Sequence, residues 1–382
     1  MNYDLSAEQE MLKKTVRDFA EGEIKPVRQK LDEKEEFSLE LTKKMGQLGL
    51  FGMMVSPEYG GQGSDYLSYC IAVEEIARVD GCQAATVAAE NALGIMPIYH
   101  WGTEAQKKKY LPSLCQGEKL WGFGLTEANA GSDAGNSKTT ARLENGEWVI
   151  NGSKIFITNA ANPMTAGVTV QAVTGDGGSG KKRMSCIIVE QGTPGFTARE
   201  MHGKLCWRSS NTAELYFEDV RVPEENLLGQ KDQGFPMMLA TLDAGRLGIA
   251  AMGVGGAQGA FEAALEHAKV RETFGKPLCK HQTIAFKLAD MAMEIELART
   301  LLYKACWLKD QGRPFGKEAS MAKLYASEVM NRVADQAVQI FGGYGLMEEY
   351  PVAKFFRDQK LLEIGEGSSE VQRIVISRYL GC

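Results

Sequence analysis

The sequence predicts an α+β multidomain chain: an N-terminal all-α domain over residues 1–118, a middle antiparallel β-barrel or sandwich over 119–230, and a C-terminal helical domain over 231–382. Three observations predict it. The 382 residues are enough for roughly two to three domains. The apolar residues recur with a helical period at both ends and a period close to two in the middle. Both Asn-Gly dipeptides, the turn pair that tolerates positive φ, fall in the middle region.

The elements follow in order. Ser6-Ala-Glu-Gln9 has the form of a capping box, and Leu12, Val16 and Phe19 then share one helical face. Pro57-Glu-Tyr-Gly-Gly reads as a loop, and helices are expected over Leu67–Val79 and Thr103–Gln116. In the middle, Asn145-Gly146 and Asn151-Gly152 are expected to be hairpin turns bracketing strands Thr139–Leu143, Trp148–Ile150 and Ile155–Thr158. Val168, Val170 and Ala172 alternate, as do Leu215 and Phe217, then Val220 and Val222. Beyond residue 231, Ile284, Leu288, Met291, Ile295 and Leu302 hold a stripe long enough for a bundle helix. The apolar stretch Leu247–Leu265 carries Gln258 and Glu262 and reads as a core helix, not a membrane span. Gly253, Gly256 and Gly259 inside it do not make a dinucleotide fingerprint and suit close helix contact instead. Gly175-Asp-Gly-Gly-Ser-Gly-Lys-Lys182 nearly spells a phosphate-binding loop, but the final Ser or Thr and the following helix are missing, so a hairpin turn is expected.

Composition excludes several classes. With 44% apolar and 24% charged residues, the chain is neither disordered nor collagen-like. A net charge of −6 argues against nucleic acid as a partner. The eight cysteines form no CxxC pair and the four histidines have no ligand spacing, so no metal is expected. Scattered thiols and a start without a basic-then-apolar leader fit a cytoplasmic protein, or the mitochondrial matrix for a mature eukaryotic form. There is no GxSxG hydrolase elbow.

Three stretches carry candidate chemistry. Phe123-Gly-Leu-Thr-Glu-Ala-Asn-Ala-Gly-Ser-Asp133 is a polar loop whose N–H and hydroxyl groups suit a phosphate or a heteroaromatic edge. Lys154-Ile-Phe-Ile-Thr-Asn159 is a strand ending in a hydroxyl and an amide. The third is the pair Gln339-Ile-Phe-Gly-Gly-Tyr-Gly345 and Ile364-Gly-Glu-Gly-Ser-Ser-Glu-Val-Gln-Arg373. There Gly365 and Gly367 leave the Glu366 carboxylate sterically open and let a ligand approach the backbone.

With Pro57-Glu-Tyr-Gly-Gly, Phe217-Glu-Asp-Val-Arg-Val-Pro and Arg271-Glu-Thr-Phe-Gly-Lys in the same order, the chain resembles the acyl-CoA dehydrogenase family of flavoproteins over its full length. The resemblance implies a C-terminal four-helix bundle, a homotetramer, FAD between the β domain and the bundle, and part of the FAD site supplied by a neighbouring subunit. It implies that Phe123, Leu125, Thr126 and Ser132 line the flavin and the nearby CoA, that Phe156 packs on the isoalloxazine, and that Thr158 bonds near N5. Many relatives have Trp where Phe156 stands; Phe still stacks but lacks the indole N–H. Arg271, Thr273, Phe274 and Gln282 match the segment meeting the FAD diphosphate and adenosine, and Gln339, Gly342 and Gly343 match the neighbouring-subunit contact. Ser368 and Glu370 would touch FAD, where relatives often carry Thr and Gln; Asp243 and Arg246 match residues that hold CoA.

In the implied mechanism the Glu366 N–H and a ribityl hydroxyl stabilise the thioester enolate, Glu366 takes the α-proton, and flavin N5 accepts the β-hydride. Electrons would pass to electron-transfer flavoprotein. A minority of relatives carry the base where Gly245 stands here, and glycine cannot serve. Gly365 replaces an aromatic of many straight-chain relatives and is expected to admit short branched, cyclic or aryl acyl groups. The resemblance also implies that Glu90 falls near the pocket floor, where it is expected to disfavour long apolar tails or contact a polar one, unless it points away or pairs with a base. No Arg in Cys82–Asn91 suits a dicarboxylic acyl tail. Three alternatives stay open: an enoyl-CoA or aryl-acrylyl-CoA reductase, a non-catalytic acyl-CoA-binding protein, and an oxidase.

Overall fold

The computed structural model describes residues 4–178 and 181–382. Helices run from Ala7–Phe19 to Glu104–Cys115, strands from Leu120–Gly124 to Leu227–Leu228, and helices again from Gly234–Val270 to Ser369–Tyr379. The Ser6 capping box forms as the sequence indicates, with the Ser6 hydroxyl and the Gln9 side chain each meeting the other residue's N–H. The two helices expected over Leu67–Val79 and Thr103–Gln116 occupy Tyr66–Ala77 and Glu104–Cys115. Pro57–Tyr59 inside the expected loop closes into a short 3₁₀ turn.

The middle strands form an eight-stranded, mostly antiparallel sheet. Its order runs Phe196–Glu200, Thr212–Pro223, Glu147–Thr158, Thr140–Glu144, Thr165–Gly178, Lys181–Glu190, Leu227–Leu228. Leu120–Gly124 joins it by pairing parallel to Thr165–Gly178. Asn145-Gly146 makes the expected hairpin, with φ of 51° and 84°. Asn151-Gly152 does not. It lies inside the single strand Glu147–Thr158 as a bulge opposite Thr212–Pro223. Gly152 takes φ 145°, and the Asn151 amide exchanges two 2.9 Å bonds with Asp219. A turn and a bulge both need a residue with unusual φ, so the dipeptide alone does not separate them. The bulge also explains the change of phase between Leu215/Phe217 and Val220/Val222: all four are buried on one strand, with exposed Glu218-Asp219 between them. At the glycine-rich hairpin, Gly178 faces Lys181 across the antiparallel pair; Ser179 and Gly180 of the expected turn lie outside the described residues.

Four long C-terminal helices, Gly234–Val270, Gln282–Asp310, Gly316–Phe341 and Pro351–Ile364, pack as a bundle, with Ser369–Tyr379 against the third. The stripe of Leu288, Met291, Ile295 and Leu302 faces inward. Gly253, Gly256 and Gly259 allow close packing as expected: a Cβ at these positions would meet Ala326, Met330 and the Arg78 carbonyl within 3.0 Å. Gly234–Val270 is the one helix among the described residues long and apolar enough to cross a membrane, and 78% of its most apolar window is buried inside the protein. The N-terminal helices and the bundle share one hydrophobic core, while Trp148, Ile150, Val168, Val170, Leu215 and Phe217 belong to a second core inside the sheet. The site residues indicated by the sequence are spread over all three units.

Candidate active site

Three groups of site residues emerge from the fold. On the β domain, Phe123 near the end of the first strand and Leu125 just past it are nearly buried, with half-buried Thr126 beyond them and exposed Ser132 further along the loop. The strand beside them turns Phe156 out at φ 61° and leaves it 62% exposed, with Thr158 half-buried two residues on. A large aromatic seldom sits in the left-handed region or stays this exposed, and its ring offers an apolar wall on which a planar ligand could stack.

That wall is held by an ion pair that the sequence reading did not single out. The Lys154 ammonium is buried and donates to Glu127 Oε1 at 2.8 Å and to the Leu125 carbonyl at 3.2 Å. Glu127 also accepts the Lys138 and Thr139 N–H groups at 2.7 and 3.1 Å and the Ser137 hydroxyl. Burial pushes the Glu127 carboxyl up, but Lys154 and these bonds outweigh it and hold it at about 2. The Ile155 N–H bonds the Thr126 carbonyl at 3.0 Å, so loop and strand are stitched directly at the wall. Both charged residues lay inside the two motifs, and a lone charge within an apolar strand was the available signal. Lys154→Met leaves Glu127 buried and unpaired. It is expected to cost about 3–5 kcal/mol, read by denaturant unfolding at pH 7.

At one end of the bundle, Arg271 leads into a small hairpin, Glu272–Thr273 with Lys276–Pro277, whose turn residue Phe274 is 98% exposed. The Arg271 guanidinium lies 6.0 Å from the Tyr344 ring, which brings the hairpin to the Gly342–Leu346 turn. Gln282 starts the next helix; Gln339, Gly342 and Gly343 are exposed at the end of Gly316–Phe341. No hydrogen bond or ring contact joins this group to the β-domain wall among the described residues.

The carboxylate sits elsewhere. Helix Pro351–Ile364 stops at Gly365, the chain turns through Glu366 at φ 51° and Gly367 at φ 91°, and Ser368 caps the last helix by accepting the Val371 N–H. A left-handed Glu costs on the order of 1 kcal/mol. Its surroundings hold it there: the Gly367 carbonyl accepts the Lys323 ammonium at 2.8 Å and the Gln372 amide at 2.9 Å, and the Glu366 carbonyl accepts the same amide at 3.3 Å. The carboxylate points at the bundle. Its Oε2 is buried without a hydrogen-bond partner, and a Cβ on Gly245 would lie 2.1 Å from it. Burial pushes Glu366 up to about 7, against the pull of Lys323 and Arg246. Arg246 is buried, pairs with half-buried Asp243, and donates to Ser320 at 3.3 Å. Exposed Glu370 is held below the usual carboxylate range by the Ser368 hydroxyl.

Glu90 is fully buried and begins a π-helical turn, Glu90–Ile95. Its Oε2 accepts the Trp121 N–H at 2.9 Å, no cation pairs with it among the described residues, and its Oε1 has no partner. Burial pushes it to about 8. Leu93 of the same turn lies against Gly245, so the turn borders the Glu366 carboxylate. No His, Cys, Asp and Glu cluster among the described residues suits a metal.

A lone carboxyl, buried and poised near neutrality, equips an enzyme that removes a weakly acidic proton, and the exposed aromatic wall suits a planar redox cofactor. The chain belongs to the acyl-CoA dehydrogenase family: the family's N-terminal, middle and C-terminal domains match residues 6–118, 122–220 and 232–381. It is 48% identical to a short-chain specific acyl-CoA dehydrogenase of Clostridium acetobutylicum, covering 99% of both chains. It is 44% identical to an acryloyl-CoA reductase (NADH) of Anaerotignum propionicum over 99% of this chain and 95% of that one. The butyryl-CoA dehydrogenase structure from Megasphaera elsdenii superposes with a TM-score of 0.96 at 45% identity, covering 100% of both chains. A chain in a structure described as the electron transferring flavoprotein of Acidaminococcus fermentans superposes with a TM-score of 0.96 at 43% identity, covering 100% and 99%. The protein is thus an acyl-CoA dehydrogenase, and the family is FAD-dependent.

Proposed function

We propose that the protein dehydrogenates short-chain acyl-CoA thioesters between Cα and Cβ, with Glu366 as the base, and hands the electrons to an electron-transferring flavoprotein. The observation that carries this reading is the Glu366 carboxyl, buried with a free oxygen against the gap at Gly245. The short-chain and butyryl-CoA relatives support the acyl length, and the flavoprotein structure supports the electron acceptor. Cytoplasmic residence and a homotetramer belong to the same proposal.

The exposed ring of Phe156 and the adjoining hydroxyls fit a flavin, so Phe123, Leu125, Thr126, Phe156 and Thr158 would hold it. Arg271, Thr273, Phe274, Gln282, Gln339, Gly342 and Gly343 would take its distal part across a second copy, with Ser132, Ser368 and Glu370 near it. FAD, when bound, supplies the acceptor for the β-hydride. The chain itself does the rest. Asp243 and Arg246 anchor CoA. The Glu366 N–H, without a backbone partner among the described residues, donates to the thioester oxygen and makes the α-proton acidic. Glu366 Oε2 takes that proton. Gly365 and Gly367 keep the approach open, and Glu90 bounds the acyl end.

The base works deprotonated, so kcat/KM is expected to rise about tenfold per unit below a midpoint near 7 and to level above it. A plateau extending down to pH 5 would remove Glu366 from the role. The direct test is anaerobic: the yellow holoenzyme is expected to bleach with butyryl-CoA faster than with octanoyl-CoA, and no bleaching with any acyl-CoA would overturn the proposal. The acryloyl-CoA reductase relative favours a second reading, the same chemistry run in reverse. Faster oxidation of the reduced enzyme by acryloyl-CoA than its reduction by propionyl-CoA would establish it.

A further inference from the structure

We propose that Lys323 is a positioning residue for the Glu366 base: its ammonium fixes the Glu366–Gly367 hinge through the Gly367 carbonyl and places a positive charge beside the carboxylate. The inference rests on Glu366 being the base.

Lysine is rarely buried outright, yet Lys323 is 0% exposed in the middle of Gly316–Phe341. No carboxylate lies within ion-pair distance of its ammonium among the described residues, and the ammonium's one hydrogen bond there is to the Gly367 carbonyl at 2.8 Å. An apolar side chain of the same length fills such a place at lower cost, because an ammonium loses its water there. What the ammonium supplies is local. It caps a carbonyl that the left-handed turn removes from any helix, and Gln372 shares that carbonyl from the last helix at 2.9 Å. The two donors pin the Gly367–Ser368 peptide, one residue past the base, and Gln372 also reaches the Glu366 carbonyl, so the carboxylate keeps one direction.

The charge acts as well as the hydrogen bond. Around Glu366, Gly316–Phe341 contributes Lys323, and Gly234–Val270 contributes Arg246, whose charge Asp243 offsets. Tyr66–Ala77 contributes the buried Tyr69 hydroxyl. Pro351–Ile364 contributes Glu363, paired with Lys360, and the last helix contributes exposed Glu370. Lys323 is therefore the cation facing the base without an acid of its own. Burial lowers its own proton affinity to about 8, which still leaves it charged through the neutral range.

The test compares FAD-loaded wild type with Lys323→Gln, which keeps a donor but no charge, and Lys323→Met, which keeps neither. Each is measured for kcat/KM against pH with butyryl-CoA. A second readout, independent of turnover, is the infrared titration of the protonated carboxyl band that Glu366→Gln removes. Both variants are expected to raise the two midpoints by about one unit, an activity loss of about fivefold at pH 7 that recovers in alkali. Lys323→Met is expected to lose plateau activity in addition, because the hinge is released. Unmoved midpoints in Lys323→Gln, with activity lowered equally at every pH, would overturn the proposal and leave only a packing role. Failure of the underlying reading looks different: Glu366→Gln would keep its rate whatever Lys323 does.

Discussion

Glu366→Gln is expected to lower kcat by about 10³–10⁴-fold while leaving FAD content and CoA-thioester binding intact, because a general base contributes on that order and the amide cannot accept the α-proton. The substitution is nearly isosteric. It breaks no hydrogen bond, since Oε2 has no partner to lose. The same burial that makes Glu366 a useful base makes it a costly residue. Its affinity for a proton rises from 4.5 to about 7 on folding, so the folded state binds more protons than the unfolded one between those values. Stability is therefore lost as pH rises through that window, and the full penalty applies above it. The neutral amide escapes the penalty. Glu366→Gln is expected to be more stable than wild type at pH 8 by on the order of 1–3 kcal/mol and to show little gain at pH 4.5, read by denaturant melts at both values. A variant that turns over within tenfold of wild type, or one whose stability gain does not depend on pH, would place the base elsewhere.

How much of this was readable in the sequence depends on the range of the interaction. The capping box at Ser6, the hairpin at Asn145-Gly146 and the inward stripe from Leu288 to Leu302 are local, and local rules found them. Asn151-Gly152 shows the limit of local rules. The dipeptide signals unusual φ, but whether the chain then reverses or bulges depends on the strand opposite, here Thr212–Pro223. A second clue was present, the slip of phase after Phe217, and it becomes legible only when set against the first. Glu366 could be chosen from its flanking glycines and the family resemblance. Its free oxygen, the gap at Gly245 and the buried Lys323 could not, because each depends on helices far apart in the chain meeting at one point. A buried lysine on a helix reads in sequence like any solvated one. The shared core of the N-terminal helices and the bundle is hidden for the same reason: the whole β domain separates the two halves in sequence.

Gly245→Ala tests that gap with the smallest possible change. Position 245 lies inside the long helix Gly234–Val270, where alanine is the better helix former by about 1 kcal/mol. The added methyl would stand 2.1 Å from Glu366 Oε2 and 3.1 Å from its carboxyl carbon, with Leu93 at 3.4 Å. The backbone there has no need to move, because the obstructed group is the end of a flexible side chain. The cheap relaxation is for the carboxylate to swing off its aim. The fold is therefore expected to melt at or above the wild-type temperature while kcat falls about 10²-fold, the scale on which a reacting group misplaced by an ångström loses rate. FAD binding is expected to persist, since Phe156 and Thr158 stand on another domain. Adding Glu366→Gln to Gly245→Ala is expected to bring the rate no lower than Glu366→Gln alone, because both changes act on one carboxylate. A Gly245→Ala enzyme as fast as wild type would show that Glu366 reaches the α-proton from a second direction, and its close approach to Gly245 would then no longer define the reacting geometry.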